Sequence, residues 1–308
     1  MPSFSCTVET GIPNGLRLDR YTAEYLKILS RSQIKARKLE ARLNGKAVKI
    51  SRSLRGGEYL ELSWTEAESP FLIPEYLPLD IIYEDKRVIV VNKAQGMVVH
   101  PGAGNRQGTL ANALLYRKLQ NEKVNNEKLS LATGYRPGIV HRLDKDTSGV
   151  IIAAWDDEAL SFLSDQFKTR KVRKSYAALV HGCPRETQGC IDKRITRSRR
   201  DRKKFTISEK EGRPSVTYYK IVRSYEKFSL LLLRPKTGRT HQIRVHLQYL
   251  GNPILGDPLY GRMDKHFTNA TLMLHAKKLS LVLPDHNELA AFRTLLPLRF
   301  REIMNKFM

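Results

Sequence analysis

Residues 138–152 read GIVHRLDKDTSGVII and join a dense polar cluster to an apolar run. The polar part carries the carboxylates Asp144 and Asp146 among basic and hydroxyl side chains. The apolar part begins a strand that the pattern predicts over 149–154. Loops that end at a rigid strand commonly display reactive groups. From these residues alone, a functional loop and an ordinary charged turn both remain open.

The chain on either side of this stretch predicts an α+β fold, with a mixed, largely antiparallel sheet flanked by helices. Several predicted strands follow one another directly, without the strict alternation of strand and helix that is typical of a parallel sheet. Thr109 and Thr240 are expected to cap two of the helices. Apolar runs predict strands over 88–92, 149–154, 175–181, 215–222, 228–234 and 278–283.

An acidic segment that is rich in proline predicts a domain boundary. Proline lacks a backbone donor and interrupts helices, so this segment is expected to be a linker. We expect a first domain over 1–66, a linker over 67–78 and a second domain over 79–308.

The first domain carries two local signals and a basic surface. Ser30-Arg31-Ser32-Gln33 matches a capping box at the start of a helix. Asn44-Gly45 is typical of a two-residue β-hairpin turn. Basic side chains are expected on the outer face of the helix, namely Arg31, Lys35, Arg37 and Lys38.

The charge of the 308-residue chain points to a polyanionic partner. It contains 54 Lys and Arg against 31 Asp and Glu, a formal net charge of +23. Such a charge attracts phosphate backbones and favours a nucleic acid. The sequence has no apolar run long enough to span a bilayer and no secretory signal, and its 3 cysteines cannot all pair. We therefore expect a monomeric cytoplasmic protein with no membrane partner.

Five motifs, in order along the chain, resemble those of the RluA/RluD family of RNA pseudouridine synthases. GIVHRLDKDTSGVII resembles the signature motif of that family. The other four are VIVVNKAQGMVVHPG (88–102), KSYAALVHG (174–182), GRTHQIRVHLQYLGNPILGDPLYG (238–261) and LMLHAKKLSL (272–281). Two positions depart from the family pattern: Ala94-Gln95 replaces Pro-Ala, and Trp155 replaces a common lysine.

The resemblance implies the pseudouridine synthase fold and the isomerisation of uridine to pseudouridine in RNA, with no cofactor and no metal. By the same resemblance, Asp144, Tyr176 and Arg244 are the catalytic residues, and Arg244 pairs with Asp144. His141 and Arg142 match positions that the family places at the RNA, and Leu274 closes the pocket. Asp146 is expected to partner a cation or cap a turn.

Two basic regions are candidates for RNA binding outside the pocket. Residues 17–62 resemble the S4-type α/β RNA-binding domain that often precedes this catalytic domain. The run KRITRSRRDRKK (193–204) predicts a long mobile loop that binds phosphates. Its arginines are Arg197, Arg199, Arg200 and Arg202.

The favoured target is large-subunit ribosomal RNA, with transfer RNA as the alternative. A non-catalytic RNA-binding factor in ribosome assembly is the rival from another functional class. The joint presence of Asp144, Tyr176 and Arg244 favours the enzyme.

Overall fold

The chain divides into two compact units, Met1–Phe71 and Leu72–Met308. The computed structural model describes residues 2–65, 72–102, 104–122, 137–262, 268 and 270–306. Of the expected linker, residues 67–71 lie outside the described residues. The remainder, 72–78, is tied to the second unit: Asn112 donates to the carbonyl of Ile73, and the Glu75 carboxylate accepts from the Gly108 N–H.

The first unit is a small antiparallel sheet covered by short helices. Its strand order is β1-β4-β2-β3. Leu60 and Leu62 on one face of β4 are buried, as are Leu18 and Ile34 from the helices. The elements are β1 (Ser3–Thr7), α1 (Leu18–Arg20) continued by a π-helical turn (Tyr21–Tyr25), α2 (Arg31–Ala36), β2 (Glu40–Leu43), β3 (Lys46–Val48) and β4 (Tyr59–Ser63).

Local sequence signals in this unit are confirmed. Ser30 Oγ accepts from the Gln33 N–H at 3.3 Å, and Gln33 Oε1 accepts from the Ser30 N–H at 2.8 Å. Asn44 and Gly45 both have positive φ and join β2 to β3, as a primed hairpin turn requires.

The basic helix is shorter than expected. It ends at Ala36, so Arg37 and Lys38 follow the helix, and Lys38 has the left-handed φ of +48°. Arg31, Lys35 and Lys38 are exposed, and Arg37 is half-buried.

The second unit is built on an 11-stranded sheet with the confirmed α+β architecture. The path is β11-β10-β12-β13-β9-β14-β8-β6-β5, with β15 beside β14 and β7 beside β8. All pairs are antiparallel except β14 with β8. The strands are β5 (Asp80–Glu84), β6 (Val88–Lys93), β7 (Gly138–Ile139), β8 (Ser148–Ala154), β9 (Arg173–His181), β10 (Gln188–Arg197), β11 (Phe205–Ser208), β12 (Arg213–Ser224), β13 (Phe228–Pro235), β14 (Leu274–Val282) and β15 (Leu289–Arg293).

Helices cover both faces of this sheet around β6 and β8. Alternate residues of a strand point to opposite faces. Val150 and Ile152 pack with α4, whereas Ile151 and Ala153 pack with α3. The helices of this unit are α3 (Leu110–Asn121), α4 (Asp157–Lys168), α5 (Gln242–Tyr249) and α6 (Leu298–Asn305). No helix in the described part of the chain is long and apolar enough to span a bilayer.

Of the two predicted helix caps, one is confirmed and one is wrong. Thr109 caps α3 through a capping box with Asn112. Thr240 does not cap α5, because the N-cap is His241, which has the left-handed φ of +56° and makes no side-chain cap.

The expected long loop over 193–204 is also wrong. Residues up to Arg197 belong to β10, which pairs with β11, so the basic run forms an antiparallel hairpin. Only residues 198–204 form its turn, and we call β10, this turn and β11 the arginine hairpin.

Candidate active site

A cavity of about 490 Å³ brings together all six residues predicted for the pocket. It lies where β8, β14 and β9 adjoin in the sheet. Its walls include Asp144, Tyr176, Arg244, His141, Arg142 and Leu274. These side chains come from the loop before β8, from β9, from α5 and from the start of β14. The site therefore depends on elements that are distant in sequence.

Backbone anchors fix the loop that carries Asp144. The buried ammonium of Lys93 donates to the carbonyls of Ala94, Met97 and Lys145 at 2.9, 2.8 and 3.1 Å. Burial lowers the pKa of Lys93 to about 8, despite the opposing charges of nearby carboxylates. The bond to Lys145 holds the residue next to Asp144 against the end of β6, and the other two bonds fix the segment that follows β6.

Gln95 supplies a second anchor at a position where the sequence departs from the family pattern. Its amide donates to the carbonyls of Asp146 and Leu272, both at 3.0 Å. Its oxygen accepts from Thr271 at 3.0 Å. The glutamine thus ties the Asp144 loop to the segment that leads into Leu274, which forms part of the cavity wall.

Arg244 pairs with two carboxylates. Its Nη1 lies 3.5 Å from Asp144 Oδ2, as the family resemblance implies. The stronger contact is with Asp257, which accepts from Nε and Nη2 at 2.7 Å each. Burial alone would lower the pKa of Arg244, but Asp257 and then Asp144 raise it above its ordinary value. The guanidinium is therefore a fixed positive charge beside Asp144.

A histidine that sequence analysis did not single out faces the same carboxylate. His241 Nε2 lies 3.9 Å from Asp144 Oδ2. Desolvation lowers the pKa of His241 below its ordinary value, even though Asp144 acts in the opposite direction. A neutral imidazole at this position can present an N–H to Asp144 without adding a second full charge.

Tyr176 lies on β9 between two apolar clusters and lines the cavity. Burial, followed by the charge of Asp144, raises the pKa of Tyr176 above its ordinary value. The phenol therefore stays protonated at neutral pH and presents an aromatic surface to any base that enters the cavity.

His141 and Arg142 differ in environment although they are adjacent in sequence. His141 Nε2 accepts from the Ile152 N–H at 3.1 Å, and its ring stacks on Phe167. Desolvation lowers the pKa of His141 to about 3, so the ring is neutral and belongs to the cavity wall. Arg142 is exposed at the cavity.

The remaining predicted RNA-binding residues are not among those that line the cavity. Arg31, Lys35, Arg37 and Lys38 belong to the first unit. In the arginine hairpin, Arg197 donates to the Arg202 carbonyl, and Arg199 pairs with Glu211 at 3.0 Å.

Sequence analysis missed Lys93, His241, Asp257 and Tyr260. His241, Asp257 and Tyr260 stand inside the quoted 238–261 motif, and Lys93 stands inside the 88–102 motif, so the motifs were the available signal for them. No cluster of three or more His, Cys, Asp or Glu side chains suited to a metal ion occurs within the described residues.

The family model described as RNA pseudouridylate synthase matches residues 87–249, which contain Asp144, Tyr176 and Arg244. The chain belongs to the RluA/RluD family of RNA pseudouridine synthases. This synthase is 42% identical over 301 residues to the Borreliella burgdorferi protein named ribosomal large subunit pseudouridine synthase D. That alignment covers 96% of this chain and 90% of the relative. A Bacillus subtilis relative, an uncharacterized RNA pseudouridine synthase, is 36% identical. The alignment covers 94% of this chain and 93% of the relative.

Solved structures show the same similarity. Human RNA pseudouridylate synthase domain containing 4 is 27% identical to the synthase with a TM-score of 0.59. This match covers 74% of this chain and 92% of the human chain. Human RNA pseudouridylate synthase domain containing 1 is 29% identical with a TM-score of 0.56. This match covers 71% of this chain and 83% of the human chain. The predicted family and enzyme class are confirmed.

Proposed function

We propose that this synthase converts specific uridines of large-subunit ribosomal RNA to pseudouridine. The observation that carries the target is the 42% identity, over 96% of the chain, to a protein named ribosomal large subunit pseudouridine synthase D. The net charge of +23 supports a large, highly charged RNA as the partner.

The reaction conserves all atoms of the nucleotide. The bond between N1 of uracil and C1′ of ribose breaks, the base turns over, and a bond forms between C5 and C1′. The proton leaves C5 and N1 gains one, so no electrons are gained or lost. A base inside folded RNA must first be extruded from its stack to reach an enclosed site.

Asp144 is the proposed reacting group. A carboxylate can attack carbon as a nucleophile or stabilise positive charge that develops on a sugar. The Arg244 guanidinium, whose Nη1 lies 3.5 Å from Asp144 Oδ2, supplies the positive charge that faces this carboxylate. Arg244 is kept in place by Asp257, whose two hydrogen bonds fix the guanidinium plane.

The proposed roles of the other pocket residues follow from their surroundings. Tyr176, whose pKa is raised, stacks on the extruded uracil and does not act as a phenolate base. Leu274 closes the apolar side of the cavity, and His141 supports its wall. Arg142, exposed beside Asp144, occupies the space that the extruded base leaves or binds a phosphate.

The two basic regions are proposed to bind RNA backbone. The S4-type first domain uses Arg31, Lys35, Arg37 and Lys38, and the hairpin uses Arg197, Arg199, Arg200 and Arg202. Phosphate contacts position a protein on RNA without reading its sequence.

The test is site mapping on unmodified RNA. Purified synthase is incubated with transcripts of large-subunit ribosomal RNA, small-subunit ribosomal RNA and transfer RNA. Pseudouridines are then marked chemically and located by primer extension. New marks confined to large-subunit RNA are expected. Marks only in transfer RNA would overturn the proposed target, and binding without marks in any RNA would favour the assembly factor.

A further inference from the structure

Five basic side chains line the cavity and have no role in the mechanism above. We call them the rim cluster, and its members are Lys168, Arg170, Lys174, Lys236 and Arg239. Asp144 is the one carboxylate among the described residues that line this cavity. Arg244 already balances that carboxylate. The rim cluster therefore adds positive charge that the site itself does not neutralise.

Two separate segments bring this charge together. Lys168 and Arg170 lie at the end of α4, whereas Lys236 and Arg239 lie in the loop between β13 and α5. Lys174, on β9, completes the group, and its ammonium lies near Gly238 of the same loop.

The loop between β13 and α5 is fixed by the side chain of Gln242. Its Oε1 accepts from Thr237 Oγ1 at 2.7 Å and from the Arg239 N–H at 3.0 Å. Its amide donates to the Val216 carbonyl and to Thr217 Oγ1, both at 3.0 Å. The backbone that presents Lys236 and Arg239 is thus held in place before any ligand binds.

The cluster lacks internal counter-ions. Within the described ranges, no carboxylate oxygen lies within 4.0 Å of a charged nitrogen of any member. Burial lowers the pKa of Lys174. Burial, then the charges of Arg213 and Arg170, lower the pKa of Arg239. Mutually repelling, partly desolvated cations gain free energy when an anion binds between them.

Arg170 has a backbone conformation that makes glycine a suitable test substitution. It has a φ of +61°, the left-handed conformation that glycine adopts without steric cost. An arginine there costs on the order of 1 kcal/mol of folding free energy relative to glycine. Replacement of Arg170 by glycine therefore removes the guanidinium without a steric cost to the backbone.

We propose that the rim cluster binds the RNA phosphates that flank the uridine whose base enters the cavity. This inference rests on the proposed function, because it takes a nucleotide as the occupant. When the base and ribose occupy the cavity, the adjoining phosphodiesters must lie at its rim. The cluster then positions C1′ of that ribose against Asp144 by holding the backbone on one side.

The first experiment measures RNA affinity against salt concentration. The RNA is a stem-loop that carries a mapped target uridine, and every protein carries Asp144→Asn so that no product forms. Each lost phosphate contact should reduce the slope of log affinity against log salt by roughly 0.7 to 0.9. We expect this reduction for Arg170→Gly and for Arg239→Gln. Arg301→Gln, which removes an exposed charge on α6, is the matched control and should leave the slope unchanged.

Folding is checked by thermal unfolding of the same variants. Arg170→Gly should unfold at the same or a higher temperature, because the left-handed conformation becomes free of strain. Weaker RNA binding by a protein that is no less stable supports a ligand contact. Lys236→Gln is measured as a third variant. Salt slopes that are unchanged in all three variants would overturn the proposal.

The second experiment removes the charge from the RNA. Uncharged methylphosphonate linkages replace the phosphate on the 5′ or the 3′ side of the target uridine. For the parent enzyme, at least one replacement should raise KM about tenfold. In the Arg239→Gln variant, that replacement should raise KM little further, because the contact is already missing. The proposal would be overturned if, at both linkages, the uncharged replacement and Arg239→Gln each raised KM independently, so that their effects multiplied.

Failure of the proposed function has a different signature. If the parent enzyme marks no RNA, the proposed function fails, while the salt slopes, measured on a large-subunit RNA stem-loop, still report on the cluster. If the parent marks RNA normally and the variants match it in every measurement, only the rim cluster assignment fails.

Discussion

Tyr260 Oη lies 2.9 Å from His241 Nδ1 and links this histidine to the backbone of the arginine hairpin. The same oxygen accepts from the Phe205 N–H at 2.8 Å. Burial raises the pKa of Tyr260, so the phenol keeps its proton. A protonated phenol can donate to Nδ1 of His241, and the tautomer that accepts this bond carries its proton on Nε2, which lies 3.9 Å from Asp144 Oδ2. In that tautomer the N–H of the imidazole, and not a lone pair, faces the carboxylate.

Tyr260→Phe should lower kcat about tenfold and leave KM for RNA within a few-fold. The loss of one hydrogen bond of roughly 1.5 kcal/mol corresponds to that factor. The imidazole would be free to place its proton on Nδ1 and turn a lone pair towards Asp144. The measurement is single-turnover rate against pH. Tyr219→Phe, another buried tyrosine of the same unit, is the control, and equal rates and pH profiles for the two variants would rule out a positioning role for Tyr260.

Asp144→Asn should abolish turnover while RNA affinity stays within a few-fold. The change is nearly isosteric but removes the charge and the nucleophile. Asp146→Asn, two residues away in the same loop, is the matched control and should retain turnover. Pseudouridine formation by a clean Asp144→Asn preparation, at a rate near that of the control, would exclude Asp144 as the reacting group.

Asp257→Ala should reduce the unfolding free energy by about 3–5 kcal/mol, because it leaves a buried guanidinium without its main partner. Arg244 would also lose its orientation towards Asp144, so kcat should fall even in the fraction that stays folded. Denaturant unfolding and single-turnover kinetics measure the two effects. A stable variant with parent activity would show that Asp144 alone is sufficient to hold Arg244.

Acid should destabilise the second unit through His246. This side chain is fully buried, and desolvation lowers its pKa from the ordinary 6.5 to about 4. Between those values the unfolded chain binds the proton and the folded chain does not, so the unfolding free energy decreases as pH falls. The contribution is up to about 3 kcal/mol. His246→Asn keeps an acceptor for Thr217 and should make stability between pH 6.5 and pH 4 less dependent on pH. Identical pH dependence in parent and variant would contradict the assignment.

Residues 72–308 alone should fold and retain slow turnover on a short stem-loop. All the cavity residues lie in this part of the chain, and residues 72–78 hydrogen-bond within it. Affinity for the full RNA should decrease, because the proposed S4-type domain is missing. The measurements are circular dichroism, RNA affinity and site mapping. An insoluble fragment, or one inactive on every RNA, would show that the division into two domains is wrong.

The sequence predicted features whose cause is local. The capping box at Ser30, the helix cap at Thr109 and the turn at Asn44-Gly45 arise from residues within three positions of each other, and all are confirmed. Features fixed by distant contacts were missed. The wrong cap at Thr240 is an example: His241 takes the cap position in a left-handed conformation and bonds Tyr260, 19 residues away.

The candidate site shows the same limit. The motif resemblance supplied Asp144, Tyr176 and Arg244, which the structure brings to one cavity. Nothing in the sequence indicated that Arg244 would bond Asp257 more closely than Asp144, because that choice depends on how the chain after α5 folds back. Gln95 appeared only as a departure from the family pattern, and its three hydrogen bonds join segments more than 50 and 170 positions apart.

The parallel pairing of β8 with β14 has a consequence for the order in which the molecule is made. The pairing joins Ser148 to His275, and Gly149 lies so close to the Ala276 backbone that a side chain would collide with it. During synthesis, β8 has no β14 to pair with until well over a hundred further residues have been added. The cavity wall at Leu274 is missing for the same period. Such long-range pairing folds slowly, so the basic segments proposed to bind RNA are synthesised well before the cavity is complete.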